Sequence, residues 1–207
     1  MDPKTRASYA RGTQWHTEKF DSYDLSPLID RFLDLVKGKR ILDLGCGIGR
    51  DVAVFRERGC RVTGIDASPE LLAVAKLRMP DADLREMDFL HLDFPDAPFD
   101  GIWAAASLLH VPKAKLPTVL REVVRVLKPE GALFSSWKEG EGESMIPDYT
   151  GAQGRFFAFY TKVEISGIME QAGLKVMEAE CSGDAKYRKS GKFRVPTQQW
   201  IYLFAKK

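Results

Sequence analysis

The chain has 207 residues, 44% of them apolar and 29% charged, with a formal net charge of +2. That length suits one domain with a full core. The near balance of charge argues against a general attraction to nucleic acid or membrane, and the apolar runs are too short for a membrane span. Cys46, Cys60 and Cys181 show neither metal-ligand spacing nor a framework of pairs. The opening Met1-Asp2-Pro3-Lys4 lacks an apolar leader, so a reducing, cytoplasmic setting is expected, with no metal.

Residues 4–24 are polar with scattered aromatics, Tyr9, Trp15, Phe20 and Tyr23. A loosely held helical segment is expected there, docked on the core or covering a ligand as a lid. Ser26-Pro27 then opens a better helix, with Ser26 as N-cap and Pro27 in first position. Its stripe is Leu28, Ile29, Phe32, Leu33 and Val36, and Lys37-Gly38 ends it.

The stretch Arg40 to Asp51 is the centre of the pattern. Ile41, Leu42 and Leu44 suit a buried strand, Gly45 to Gly49 form a turn without bulk, and Asp51 to Arg58 open a helix. A strand, a Gly-rich turn and a helix N-terminus together make a cradle for a nucleotide-like ligand. A dinucleotide site needs Gly-x-Gly-x-x-Gly, which would place its third glycine at Arg50. The actual pattern is Asp43-x-Gly45-x-Gly47-x-Gly49, and Asp43 under the turn would meet an ammonium and repel a pyrophosphate.

A second strand follows from Cys60 to Asp66. An acid about 20 residues past the glycine turn is where such folds bind ribose hydroxyls, and Ser68-Pro69 already caps the next helix. A third strand, near Ala82 to Met87, ends in Asp88-Phe89, and a fourth runs from Phe99 to Ala106. The clearest helix, Lys113 to Leu127, repeats Leu116, Val119, Leu120, Val123, Val124 and Leu127 at the helical period. A fifth strand spans Ala132 to Trp137. Residues 138–160 combine acidic glycine-rich chain with the aromatic run Arg155 to Tyr160, and read as a substrate-facing loop. Thr161-Lys162-Val163-Glu164 is a capping box for a last helix, before strands at Leu174 to Ala179 and Gln199 to Ala205. Lys186 to Arg194 is a local basic run. Strand alternates with helix from Arg40 to Trp137, which calls for a parallel sheet with helices on both faces.

The motif Asp43-x-Gly45-x-Gly47-x-Gly49, with Asp66, Asp88, the Phe99-Asp100 strand and Leu127-Lys128-Pro129-x-Gly131, resembles the class I S-adenosylmethionine (SAM) dependent methyltransferases. The resemblance covers roughly Leu28 to Lys207 within a single domain, residues 1–207. It implies an α/β, Rossmann-like doubly wound sheet of seven strands, the last antiparallel between the fifth and sixth. It also implies SAM as cofactor and S-adenosylhomocysteine (SAH) as product. By the same resemblance Asp43, Gly45, Cys46, Gly47 and Gly49 hold the cofactor, as do Asp66 with Ala67, Asp88 at the adenine amino group and Phe89 at the ring. Ala105 belongs to a small-residue strand end against which the amino-acid tail could lie. Methyl transfer relies largely on positioning, with a base only where the acceptor has a proton to lose. His110 and Tyr160 are the candidate bases, and a small molecule is the expected acceptor. Two alternatives stay open: a tRNA-modifying enzyme, suggested by the basic run, and a SAM-binding protein without transferase activity.

Overall fold

The structure is a computed structural model that describes residues 1–147, 154–189 and 198–207. The N-terminal segment forms two helices, α1 (Pro3–Arg11) and α2 (Thr13–Asp21), where one loosely held segment is expected from sequence. Asp2 caps α1 by accepting from Thr5 N at 2.9 Å. Tyr9 of α1 and Phe20 of α2 pack on Ile48 and Leu71 of the central fold, and Arg78 clamps Asp21.

Helix α3 (Ser26–Leu35) starts one residue earlier than its Ser-Pro signal suggests. Asp24 Oδ1 accepts from Ser26 N, so Ser26 is already helical and Leu25 holds the cap position. Next come β1 (Arg40–Leu44), α4 (Arg50–Glu57), β2 (Arg61–Asp66) and α5 (Pro69–Arg78). Then follow β3 (Asp83–Glu86), β4 (Phe99–Ala104), α6 (Leu116–Val126) and β5 (Leu127–Lys138). Ser68 caps α5 as its sequence implies, accepting from Leu71 N. Residues Lys113–Lys115 are a 3-10 turn. Pro117 explains this: its missing N–H and fixed φ suit the first turn of α6, so the α-helix proper begins beside it.

The region expected to be a loop contains a hairpin, β6 (Glu143–Ile146) with β7 (Arg155–Ala158). Its aromatic strand is anchored by Phe157 and Ala158, both buried. Residues 148–153, which follow β6 in sequence, lie outside the described residues. Helix α7 (Lys162–Gln171) is capped by Thr161. The reciprocal half of the box is not made, because Glu164 pairs with Lys113 Nζ at 2.7 Å. The chain closes with β8 (Lys175–Gly183) and β9 (Gln199–Lys206).

The main sheet has the order β3-β2-β1-β4-β5-β9-β8. Its first five strands are parallel, and β9 runs antiparallel between β5 and β8. The doubly wound, seven-stranded expectation is therefore met, including the reversed last strand. On one face α6 contributes Leu116, Val119, Leu120 and Val123 to a core shared with α7. On the other, Phe32 of α3, Phe55 of α4 and Trp103 of β4 meet edge to face. Fully burying each such large side chain is worth about 1.5–3 kcal/mol. Two faces of this kind hold the strand ends rigid where the loops emerge.

Candidate functional site

The sheet order turns back at β1, which lies between β2 and β4. In open α/β sheets the crevice outside the C-terminal strand ends at such a point binds ligands. A cavity of ≈ 370 Å³ lies there.

Its floor is the turn after β1. Gly45, Gly47 and Gly49 all have positive φ, +90°, +53° and +78°. Gly45 N and Cys46 N donate to the Ile65 carbonyl of β2 at 2.8 and 2.9 Å. Gly47 N donates to Asp66 Oδ2 at 2.9 Å, while Asp66 Oδ1 accepts from Ser68 N at 2.8 Å. Asp66 thus ties the two loops together at the cavity edge, and Ser68 does the capping of α5. The glycines differ in what surrounds them. A Cβ on Gly45 would fall 2.4 Å from Ser107 Cβ, and one on Gly49 would fall 2.4 Å from the Met79 methyl. Gly47 has nothing closer than Phe20 at 3.8 Å. Gly47 therefore faces the cavity, whereas Gly49 packs α4 on α5.

Asp43 lines the cavity at its base. It is 2% exposed, and its Oδ2 has no hydrogen-bond partner. Burial first, then the neighbouring Asp51, pushes its carboxyl well above the usual carboxylate range. Asp51 itself is well satisfied. Arg50 grips it with Nε and Nη2 at 2.6 and 2.9 Å, and Trp103 Nε1 donates to it at 2.8 Å. Arg50 Nη1 also donates to the Phe20 carbonyl at 3.1 Å, which ties α2 over the glycine turn. This Arg50–Asp51–Trp103 cluster was not legible as a unit in the sequence, because its members are 52 residues apart.

Gly45, Cys46, Gly47, Asp66, Phe89, Ala105 and His110 also line the cavity. Burial pushes the Cys46 thiol up, with help from Asp43, which leaves it unreactive. Gly49, Ala67, Asp88 and Tyr160 are not among the lining residues. Asp88 is 44% exposed, accepts from Leu90 N in a turn, and pairs with the Met1 ammonium. Tyr160 is fully buried under Trp137, and its hydroxyl has no partner. Burial pushes that phenol well above its ordinary value. It reaches neither cavity nor solvent, and this geometry gives it no part in proton transfer.

His110 is in the cavity wall, but both ring nitrogens are engaged. Nδ1 lies 2.6 Å from the Phe156 carbonyl and Nε2 2.8 Å from Tyr9 Oη. A carbonyl only accepts, so the proton is assigned to Nδ1 and Nε2 accepts from Tyr9. Burial, with the Arg155 guanidinium next, lowers the imidazole to about 3. This has a consequence for acid stability. Between the ordinary histidine value of 6.5 and about 3, the unfolded chain binds a proton here that the folded chain refuses. The contribution is fully present above 6.5 and is lost as pH falls, by about 1.4 kcal/mol per pH unit. Urea unfolding of wild type and His110→Asn across this acid range is expected to show a shallower pH slope in the variant. Equal slopes would mean that His110 titrates normally.

The walls come from α1, α2 and the hairpin. Thr5 Oγ1 accepts from Phe156 N at 2.8 Å, and Tyr9 accepts from Arg155 Nη1 at 3.3 Å, so the N-terminal helices dock on β7. Tyr9, Lys19 and Phe20 face Ile146, Arg155 and Phe157 around the cavity. Arg155 is one of the lining residues that sequence reasoning passed over. Its signal was a lone cation opening an aromatic run.

Comparison with known proteins agrees with this geometry. Residues 41–131 match the model of a methyltransferase domain. Over 108 residues the chain is 38% identical to Methyltransferase GfsG of Streptomyces halstedii, a match covering 49% of this chain and 38% of that protein. It is 32% identical to the ubiquinone biosynthesis O-methyltransferase of Dechloromonas aromatica, covering 63% of this chain and 59% of that one. The chain thus spans less than two thirds of the length of these relatives. Among solved structures, a SAM-dependent methyltransferase from Methanosarcina mazei superposes with a TM-score of 0.76 at 22% identity, over 89% of this chain and 98% of that one. The 1,6-didemethyltoxoflavin-N1-methyltransferase of Burkholderia thailandensis gives 0.74 at 22%, over 99% and 87%. At such identity the structural likeness is one of fold. With the sheet order and the glycine turn, residues 41–131 carry a methyltransferase domain, on a fold like that of the SAM-dependent methyltransferases.

Proposed function

We propose that this protein moves a methyl group from SAM to a small-molecule acceptor by in-line displacement. The observation that carries the reading is Asp43 Oδ2, buried and without a partner, at the base of a cavity floored by positive-φ glycines. An isolated buried carboxylate is costly unless something cationic completes it. The ammonium of the cofactor is such a group, so the residues present fit SAM.

Asp43 would hold that ammonium and Gly47 would bring its backbone against the cofactor. Asp66 keeps lone pairs for ribose hydroxyls beyond the two amides it already satisfies. Phe89 and Ala105 would flank the adenine and the tail, and Asp88 lies at the same strand edge but outside the cavity lining. When bound, the cofactor supplies a methyl group made electrophilic by its sulfonium. The chain's part is to orient the two reactants and to exclude water. Helices α1 and α2, with the hairpin, form the roof that does this in the single-domain arrangement, residues 1–24 acting as the lid and 138–160 as the acceptor-facing insertion.

A roofed cavity of ≈ 370 Å³ favours a compact acceptor over a polymer. The names of similar proteins, a ubiquinone biosynthesis O-methyltransferase and a 1,6-didemethyltoxoflavin-N1-methyltransferase, point the same way. The basic run behind the tRNA alternative is partly spent within the protein. Lys186 pairs with Glu180, and the backbones of Tyr187 and Lys189 bond those of Asp24 and Ser22. Residues 190–194 of that run lie outside the described residues.

Calorimetry is expected to show SAM and SAH binding in the micromolar range or tighter, about −8 kcal/mol or better. A screen of amines, thiols, phenols and carboxylates, scored by SAH formation, then identifies the acceptor. Folded protein that gives no heat with either compound would refute the reading.

A further inference from the structure

The cavity has two electrostatic ends. Asp43, Asp51 and Asp66 stand at the glycine turn, while Lys138 and Arg155 stand beside the hairpin. Among the described residues, no acid lines the cavity at the hairpin end. Arg155, on the first residue of β7, donates Nη1 to Tyr9 Oη at 3.3 Å. Its guanidinium carbon is 5.4 Å from the Tyr9 ring centroid and 5.2 Å from that of Phe157. Among the described residues it makes no ion pair, and its buried Nε has no hydrogen-bond partner. The aromatic faces attract its charge, but they offer no acceptor in the plane of the guanidinium fork. Tyr9 cannot supply more, since its proton is directed to His110 Nε2. A buried donor left unmade is costly, and an oxygen anion in the cavity would complete it.

Resting on the methyl-transfer reading above, we propose that the hairpin end of the cavity selects a planar aromatic acceptor that arrives ionised, its anionic oxygen bound by Arg155. The rings of Tyr9 and Phe157 flank the guanidinium and give an aryl group a surface to lie on. An ionised oxygen has no proton to lose, so this acceptor needs no general base. That matches the wall beside it, where His110 is neutral and engaged at both nitrogens. Arg155 is thus a specificity residue that touches substrate.

The test is calorimetry on the full chain saturated with SAH. The probes are 4-nitrophenolate, above the pH at which the phenol ionises, and the neutral 4-nitrobenzyl alcohol of similar size. Wild type is expected to bind the anion at least about tenfold more tightly than the alcohol. Arg155→Met is expected to erase that preference without changing affinity for the alcohol or for SAH. Arg155→Lys should recover part of it, because a point charge replaces the fork. The proposal is overturned if wild type fails to bind the anion, if it binds anion and alcohol alike, or if Arg155→Met keeps the preference. Each of those results would come with SAH binding intact, whereas a wild type that does not bind SAH overturns the methyl-transfer reading itself.

Discussion

Gly47→Val is expected to cost at least ~100-fold in SAM affinity, about 2.7 kcal/mol, with the sheet still folded. Two effects act on different quantities. Gly47 sits at φ +53°, and a β-branched residue held there pays about 1–3 kcal/mol of strain, which lowers folding stability. Its side chain would also enter the cavity, since the nearest protein atoms to an added Cβ are Phe20 at 3.8 Å and Leu71 at 4.0 Å. The space is open to a ligand and closed to nothing else. Gly45→Ala is the contrasting control. There the new Cβ would collide with Ser107 at 2.4 Å, so folding itself should suffer. Titration of SAM into the Gly47 variant, alongside its thermal unfolding, checks this. Wild-type affinity in Gly47→Val would mean that the turn is not the cofactor cradle, and the roles proposed for Asp66 and Asp43 would fall with it.

The parts of the fold that could be read in advance are those where a local signal and the tertiary demand coincide. Helix α6 is apolar at Leu116, Val119, Leu120 and Val123 because the sheet needs that face, so periodicity alone finds it. The glycine turn is legible because both its conformation and the close approach of a ligand ask for the same residues. The reversed strand β9 carries no such mark in its pattern, and its expectation came from family resemblance. The hairpin β6–β7 was hidden for another reason. Its strands are four residues each, and the charged Glu139 to Glu143 stretch beside them looks like solvated chain. The hairpin end of the cavity was the least legible. Tyr9, His110 and Arg155 lie up to 146 residues apart and meet only through the docking of α1 on β7. Tyr160 shows the converse error, a polar-tipped aromatic in an aromatic run whose hydroxyl proves to be sealed in the core.

Asp43→Asn is expected to do two opposite things, raising the stability of the ligand-free protein while weakening SAM binding. In the free protein the carboxylate is 2% exposed with an unpartnered Oδ2, and Asp51 beside it adds like charge. Folding therefore favours the protonated form and raises the carboxyl well above its ordinary 3.8. A group raised in this way binds more protons folded than unfolded, so it contributes most below 3.8 and its contribution declines as pH rises through the folded value. Asparagine, with no charge to desolvate, should escape that decline. Its advantage should be near zero in acid and grow with pH to a plateau on the order of 1 kcal/mol at neutrality. The bound state reverses the balance. An ammonium against an ionised Asp43 forms a buried, charge-assisted contact worth about 1.5–3 kcal/mol, which an amide replaces poorly. Thermal melts of the free variant at several pH values, paired with SAM titrations, separate the two terms. A variant that is less stable than wild type at neutral pH, or that binds SAM as tightly, would show that Asp43 serves the turn and not the cofactor.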